Sequence, residues 1–163
     1  MADKKTDTVL DTIPKLVAYH AEQNGEKPAY REKEYGIWQS WTWNQVGNEI
    51  TNLALGLLSL GINEGDHIAV IGSNRPHLYW AMIASQSVSA IPVPLYQDAV
   101  SEEISYVLEH CSAKFVIAED QEQVDKFLDI QDKIHKFEKI IYLDPRGMRK
   151  YDKSRLSEYK EIQ

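Results

Sequence analysis

The residues best placed to do chemistry sit in the turns that follow three short apolar runs. In an open parallel sheet such turns leave the carboxyl ends of the strands, where ligands bind. The first is Gly72-Ser73-Asn74-Arg75-Pro76, between the run His67 to Gly72 and a helical pattern that Pro76 can open. A helix start attracts anions, and Arg75 offers a bidentate contact to phosphate. The dinucleotide-binding fingerprint needs three glycines, however, and only Gly72 is present. The plainer reading has Ser73 or Asn74 capping the helix and Arg75 on the surface. The second turn, Tyr96-Gln97-Asp98, is either one wall of a ligand cleft or a structural loop. The third, Glu119-Asp120-Gln121-Glu122, is acidic, which favours a helix start and repels phosphate; an isolated Mg2+ site is its one chemical use.

Other reactive side chains do not group. His20, His67, His77, His110 and His135 lack the spacing of metal ligands. Cys111 lies on an apolar helical face with Lys114 as its nearest cation, which describes an inert thiol. No Gly-rich loop ends in Lys, and no Gly-x-Ser-x-Gly elbow occurs. These residues alone do not make an active site, so no catalytic, cofactor-binding or metal-ligating residue is assigned.

The elements that hold these turns alternate. Thr12 can cap a helix from Ile13 to Gln23, with Pro14 in its first turn and Gly25 closing it. Pro28 to Glu34 and Ile37 to Thr42 form a hairpin around Tyr35-Gly36. Trp38 and Trp41 face opposite ways on that hairpin, so one of them must be covered by another element. Thr42-Trp43-Asn44-Gln45 has the spacing of a capping box. The helix it opens carries Val46, Ile50, Leu53, Leu57 and Leu60, widened by Ala54 and Leu58 and ended by Gly61. That stripe is too short for a coiled coil and suits a core.

His67 to Gly72 and Ile91 to Leu95 are strands joined by a helix from Pro76, hence parallel with a right-handed crossover. Pro92 and Pro94 place the second strand at an edge or beside an incomplete partner. Ser101 can cap a helix with the face Ile104, Val107, Leu108 and Cys111; Lys114 to Ala118 is a strand. Asp120 can cap a helix with Val124, Phe127, Leu128 and Ile134, and Lys139 to Leu143 is a strand. The expected fold class is α/β: an open, mainly parallel sheet with crossover helices, preceded by a helix and a β-hairpin. Residues 1–143 form this α/β unit. Residues 144–163 are a charged connecting segment with a short helix near Arg155 to Lys160. Leu78 to Ala84 is apolar all round, which calls for a further covering layer beyond Gln163 or from another molecule.

Composition narrows the function classes. Eighteen basic residues face 25 acidic ones among 163, a net charge of -7 that argues against nucleic acid and against general attraction to anionic membranes. The single cysteine makes no internal disulfide, MADKKTD lacks a signal-peptide core, and no apolar run approaches a bilayer span, so a cytoplasmic location is expected.

Thr42-Trp43, Ala54, Gly56-Leu57, Leu60-Gly61, Gly65-Asp66, Asn74-Arg75-Pro76, Trp80, Val93-Pro94-Leu95-Tyr96, Ser101-Glu102-Glu103-Ile104 and Ala113-Lys114 follow one another at family spacing. Over about Ala29 to Leu143 the chain resembles the N-terminal segment of adenylate-forming (AMP-binding) enzymes, and most of all the long-chain fatty-acid CoA ligases. The resemblance implies a parent enzyme that joins a long-chain fatty acid to ATP, releases pyrophosphate, and passes the acyl group to coenzyme A with Mg2+ present. It implies that this chain is a partial domain of a larger adenylate-forming fold. On that reading the chain is inactive by itself, binds none of these cofactors alone, and has the missing remainder of the same chain as its partner. Peripheral contact with the inner membrane surface is left open. The family's phosphate loop, its nucleotide and Mg2+ regions and its adenylation lysine have no match here, so no catalytic residue is carried over. Some relatives bring the loop after the Pro-rich strand near coenzyme A, which makes Tyr96 to Asp98 the nearest thing to a contact, short of a site. Two departures stand out: His77-Leu78-Tyr79-Trp80 where the family has Glu-Trp, and Ser89-Ala90 where it has Gly-Ala. The alternative from another class is a stand-alone, non-catalytic binding module with a ligase-like fold.

Overall fold

The computed structural model describes residues 9–132 and 137–163, so Ile134 lies outside the described residues. Helix α1 (Ile13–Asn24) starts at Thr12, whose Oγ1 accepts from the Lys15 N–H. Strands β1 (Pro28–Glu34) and β2 (Ile37–Thr42) pair antiparallel across a two-residue turn in which Tyr35 and Gly36 both have positive φ. Helix α2 (Trp43–Ser59) opens on the full capping box, with Gln45 N–H donating to Thr42 and Thr42 N–H donating to Gln45. Then come β3 (His67–Ile71), α3 (Pro76–Ser87), β4 (Ile91–Leu95), α4 (Ser101–Cys111), β5 (Phe115–Ala118), α5 (Gln121–Ile130), β6 (Lys139–Tyr142) and β7 (Leu156–Glu158).

The main sheet is parallel throughout, in the order β4-β3-β5-β6-β7. Its strands are too short to bury anything alone, so both faces are covered. Ile68, Val70, Phe115, Ile117 and Ile141 pack against α1, α2 and α3 on one face. Ala69, Ile71, Val116, Ala118, Ile140 and Tyr142 pack against α4 and α5 on the other. The near-continuous apolar strands follow from this double burial. β4 is an edge strand, which is how a strand with Pro92 and Pro94 is tolerated.

Several expectations are corrected. Leu58 is exposed, because five apolar positions already fill the buried arc of α2. Gly25 closes α1 in a right-handed conformation; smallness is its role, since a Cβ would meet the Asn44 side chain at 2.5 Å. Ser101 is the first helical residue and Val100 is the cap position, its N–H donating to Glu103 Oε2 at 3.3 Å. Residues Leu156–Glu158 form a strand where a helix was expected, followed by a 3-10 turn at Tyr159–Glu161. A three-residue strand shows no periodicity, and its parallel pairing with β6 is a tertiary contact.

The apolar run Leu78 to Ala84 of α3 finds most of its cover inside this chain, with Tyr79 left 39% exposed. Trp80 is 1% exposed, edge-on to Tyr30 and Trp41 of the hairpin at 5.9 and 5.4 Å between ring centres. His77 lies between Trp80 and Tyr159, and Tyr159 brings in the C-terminal stretch. Trp41 is therefore the covered tryptophan of the hairpin and Trp38 the exposed one.

Candidate functional site

The crossovers after β3 and β5 leave toward opposite faces of the sheet, since α3 packs on one face and α5 on the other. This is the topological switch point, where an open α/β sheet has its crevice. A cleft of about 730 Å3 lies there, lined by Gly72, Ser73, Arg75, His77, Glu119, Asp120, Asp144, Arg146 and Tyr159 among others.

Three strand ends build it. Glu119 follows β5, and its backbone continues the ladder: its N–H donates to Ile71 O at 3.0 Å and its carbonyl accepts from Asp144 N–H at 2.8 Å. Its carboxylate crosses to the end of β3, where it accepts from the Ser73 N–H and from Ser73 Oγ at 2.6 and 2.7 Å. Arg75 Nε stands 3.3 Å from the same carboxylate, and Arg75 Nη1 is 3.1 Å from Glu32 on β1. Gly72 permits this approach, because a Cβ there would lie 2.7 Å from the Glu119 Cβ. At the far rim Arg146 donates to both Asp144 oxygens and, through Nη1, to Tyr35 Oη at 2.6 Å.

The electrostatics are self-compensated. Hydrogen bonding to Arg146 holds the Asp144 carboxyl below its ordinary pKa. Burial pushes the His77 imidazole down despite Glu49 and Glu32 nearby, so the ring is neutral at pH 7. Burial pushes the Tyr159 phenol up, and its hydroxyl has no hydrogen-bond partner among the described residues. Arg75, the phosphate contact considered for the first turn, and Ser73, considered there as a cap, both already hold a carboxylate of the chain. The turn does not fit a nucleotide phosphate, and no reaction step is derived through one. Neither Ser73 nor Asn74 caps α3; Arg75 occupies the cap position and lies on the surface as expected, where it ion-pairs with Glu32 and Glu119.

Of the other expected residues, Tyr96, Gln97, Asp98 and Cys111 lie apart from the crevice, while Asp120 stands at its edge. Tyr96 is exposed, with its phenol pKa raised by the Asp98 carboxylate. Gln97 O accepts from Lys126 Nζ at 2.5 Å, and Asp98 borders an open depression of about 840 Å3 between α4 and α5. Asp120 caps α5 by accepting from Gln123 N–H at 3.1 Å. Among the described residues no group of three His, Cys, Asp or Glu side chains could hold a metal ion. Cys111 is half-buried, its thiol 3.8 Å from Leu108 O. Sequence reasoning missed the joining of Glu119 to Ser73 and the entry of Tyr159; the one available signal was an acidic residue directly after a strand beside the switch point.

A model of the AMP-binding enzyme family matches residues 17–162. A long-chain-fatty-acid–CoA ligase of Mycobacterium bovis is 24% identical over 145 residues, covering 88% of this chain and 24% of that protein. A long-chain-fatty-acid–CoA ligase of Xenopus laevis is 24% identical over 130 residues, 80% of this chain and 18% of that protein. Among solved structures, coronafacic acid ligase from Pectobacterium brasiliense superposes with a TM-score of 0.78 at 20% identity, over 90% of this chain and 28% of the other. The isolated N-terminal subdomain of Klebsiella oxytoca NpsA gives 0.60 at 21% identity over 67% of this chain and 28% of the other. The chain thus spans about a quarter or less of the length of these curated relatives.

Proposed function

The chain belongs to the AMP-binding enzyme family, and from that premise we propose that it is the N-terminal part of an ATP-dependent fatty-acid CoA ligase. The parent would join a long-chain fatty acid to ATP as an acyl adenylate with loss of pyrophosphate, then transfer the acyl group to the coenzyme A thiol with loss of AMP. ATP, Mg2+ and coenzyme A belong to that parent. This chain supplies one wall, to which residues 144–163 add β7, Arg146 and Tyr159 before leading toward the remainder, and does no chemistry alone. Its setting is cytoplasmic, with peripheral contact at the inner membrane surface; no helix among the described residues is long and apolar enough to cross a membrane.

The observation that carries this reading is the family match across 17–162, taken with a crevice whose two arginines are both neutralised by carboxylates of the chain. Such a wall has the family's fold without a free phosphate contact from either arginine. The test is to give the chain alone ATP, Mg2+ and palmitate and to assay pyrophosphate. None should form, and acyl-dependent pyrophosphate from the chain alone would overturn the reading.

One observation favours a second reading, a stand-alone binding module. Helix α3, which should have stood partly bare in a fragment, is covered by the hairpin, α2 and Tyr159. A native polypeptide no longer than this chain would decide for it.

A further inference from the structure

We propose that the outer face of the β1–β2 hairpin docks on an anionic lipid surface. The reason is written in the alternation Arg31-Glu32-Lys33-Glu34. Successive side chains on a strand point to opposite faces, so the pairing sorts charge across the ribbon. Glu32 and Glu34 turn inward: Glu32 meets Arg75, and Glu34 lines the cleft. Arg31 and Lys33 turn outward, both exposed, and make no ion pair among the described residues. Cross-strand register puts Trp38 directly opposite Lys33, on that same outer face, and Trp38 is 66% exposed.

The tip extends beyond that face: Tyr35 is 81% exposed and Ile37, paired with Glu34 and so on the inner side, is 66% exposed, beside a tight turn held by positive φ at Tyr35 and Gly36 and by the Arg146 to Tyr35 hydrogen bond. A fixed tip presenting Tyr, Ile and Trp, with two free cations just behind it, matches the headgroup layer of a membrane. Amphipathic rings settle there and basic side chains meet anionic lipid. The outer face and the tip together hold only five such residues, three of them on the face itself, far below the ~20 to 30 a side of a stable protein interface. The net charge of -7 does not oppose this, because attraction acts within a Debye length of about 8 Å and the inner-face carboxylates are already engaged or turned away.

The inference gives a surface to the peripheral contact proposed above, and its test involves no ATP chemistry, so either proposal can fail alone. The 163-residue chain is floated with phosphatidylcholine vesicles with and without phosphatidylserine. Binding should require phosphatidylserine and weaken with salt, and Trp38→Ala should reduce it. Arg31→Gln with Lys33→Gln should lower partitioning about thirty-fold. Ile13→Ser, an exposed site on α1, should change nothing, and Trp38→Phe should remove most of the fluorescence quenching by brominated lipid. The proposal is overturned by absence of binding, by binding indifferent to the hairpin substitutions, or by equal loss in Ile13→Ser. Lipid-free dimers abolished by the hairpin substitutions would also overturn it, by assigning the face to a second copy.

Discussion

Replacing a helical glycine such as Gly56, in the last turn of α2, by Ala ordinarily stabilises a helix by about 1 kcal/mol, because Ala loses less backbone entropy. Here the sign should invert. A Cβ at Gly56 would lie 1.9 Å from Ile162 O and 2.9 Å from Ile162 C, both backbone atoms. The shortfall from ordinary contact is about 1.5 Å. Helix α2 cannot yield, since Leu53 and Leu57 on either side are fully buried. The C-terminal stretch must move instead, loosening Tyr159, 3% exposed, and the Gln163 hydrogen bond to Glu49 Oε2 at 2.8 Å. Losing much of an aromatic side chain's burial costs about 3 kcal/mol, so Gly56→Ala should be destabilising by about 2 kcal/mol net. Gly47→Ala is the matched control in the same helix: its Cβ would meet the Ala21 Cβ at 3.3 Å, a shortfall of a few tenths of an ångström, so it should lower the midpoint far less than Gly56→Ala. Urea midpoints measure both. Gly56→Ala at or above the wild-type midpoint would refute the docking of residues 156–163 against α2.

Ser89 holds a left-handed conformation, φ 59, before Ala90, so Ser89→Gly should raise the urea midpoint by an amount worth about 1 kcal/mol; a fall would mean the turn is not left-handed. His77, whose folded pKa is depressed, contributes stability that is complete above the unfolded value of about 6.5 and is lost as pH falls through the folded value. His77→Phe should flatten stability below neutrality until the carboxylates titrate, and an unchanged pH profile would remove His77 from the account. Glu119→Gln keeps size and loses charge at the Ser73 and Arg75 contacts, and should cost about 1–2 kcal/mol without creating ATP affinity; calorimetry and urea melts check the two halves separately.

Much of the fold was legible because its signals are local. The capping box at Thr42 and Gln45, the hairpin at Tyr35-Gly36 and the edge placement implied by Pro92 and Pro94 each involve neighbours in sequence. Strand β7 was not, since three residues carry no period and their pairing with β6 is set from about 16 residues away. The cover over Trp80 was not legible, because Tyr159 lies 79 positions along the chain and the hairpin's inner face meets the helix only through tertiary packing. The crevice was half legible. Its place followed from the strand-to-helix turns, but Glu119 reaching Ser73 joins residues 46 apart, and that contact commits Ser73 and Arg75 to a carboxylate of the chain. Ser89 was visible as a departure from family pattern, and the backbone keeps the left-handed turn despite its Cβ.

The measurement that bears most directly on the central claim is the size and activity of the native polypeptide, captured with an antibody raised against residues 28–143. The account predicts a polypeptide several-fold longer than this chain that catalyses fatty-acid-dependent ATP–pyrophosphate exchange. A native polypeptide of this chain's size, without exchange, would contradict it.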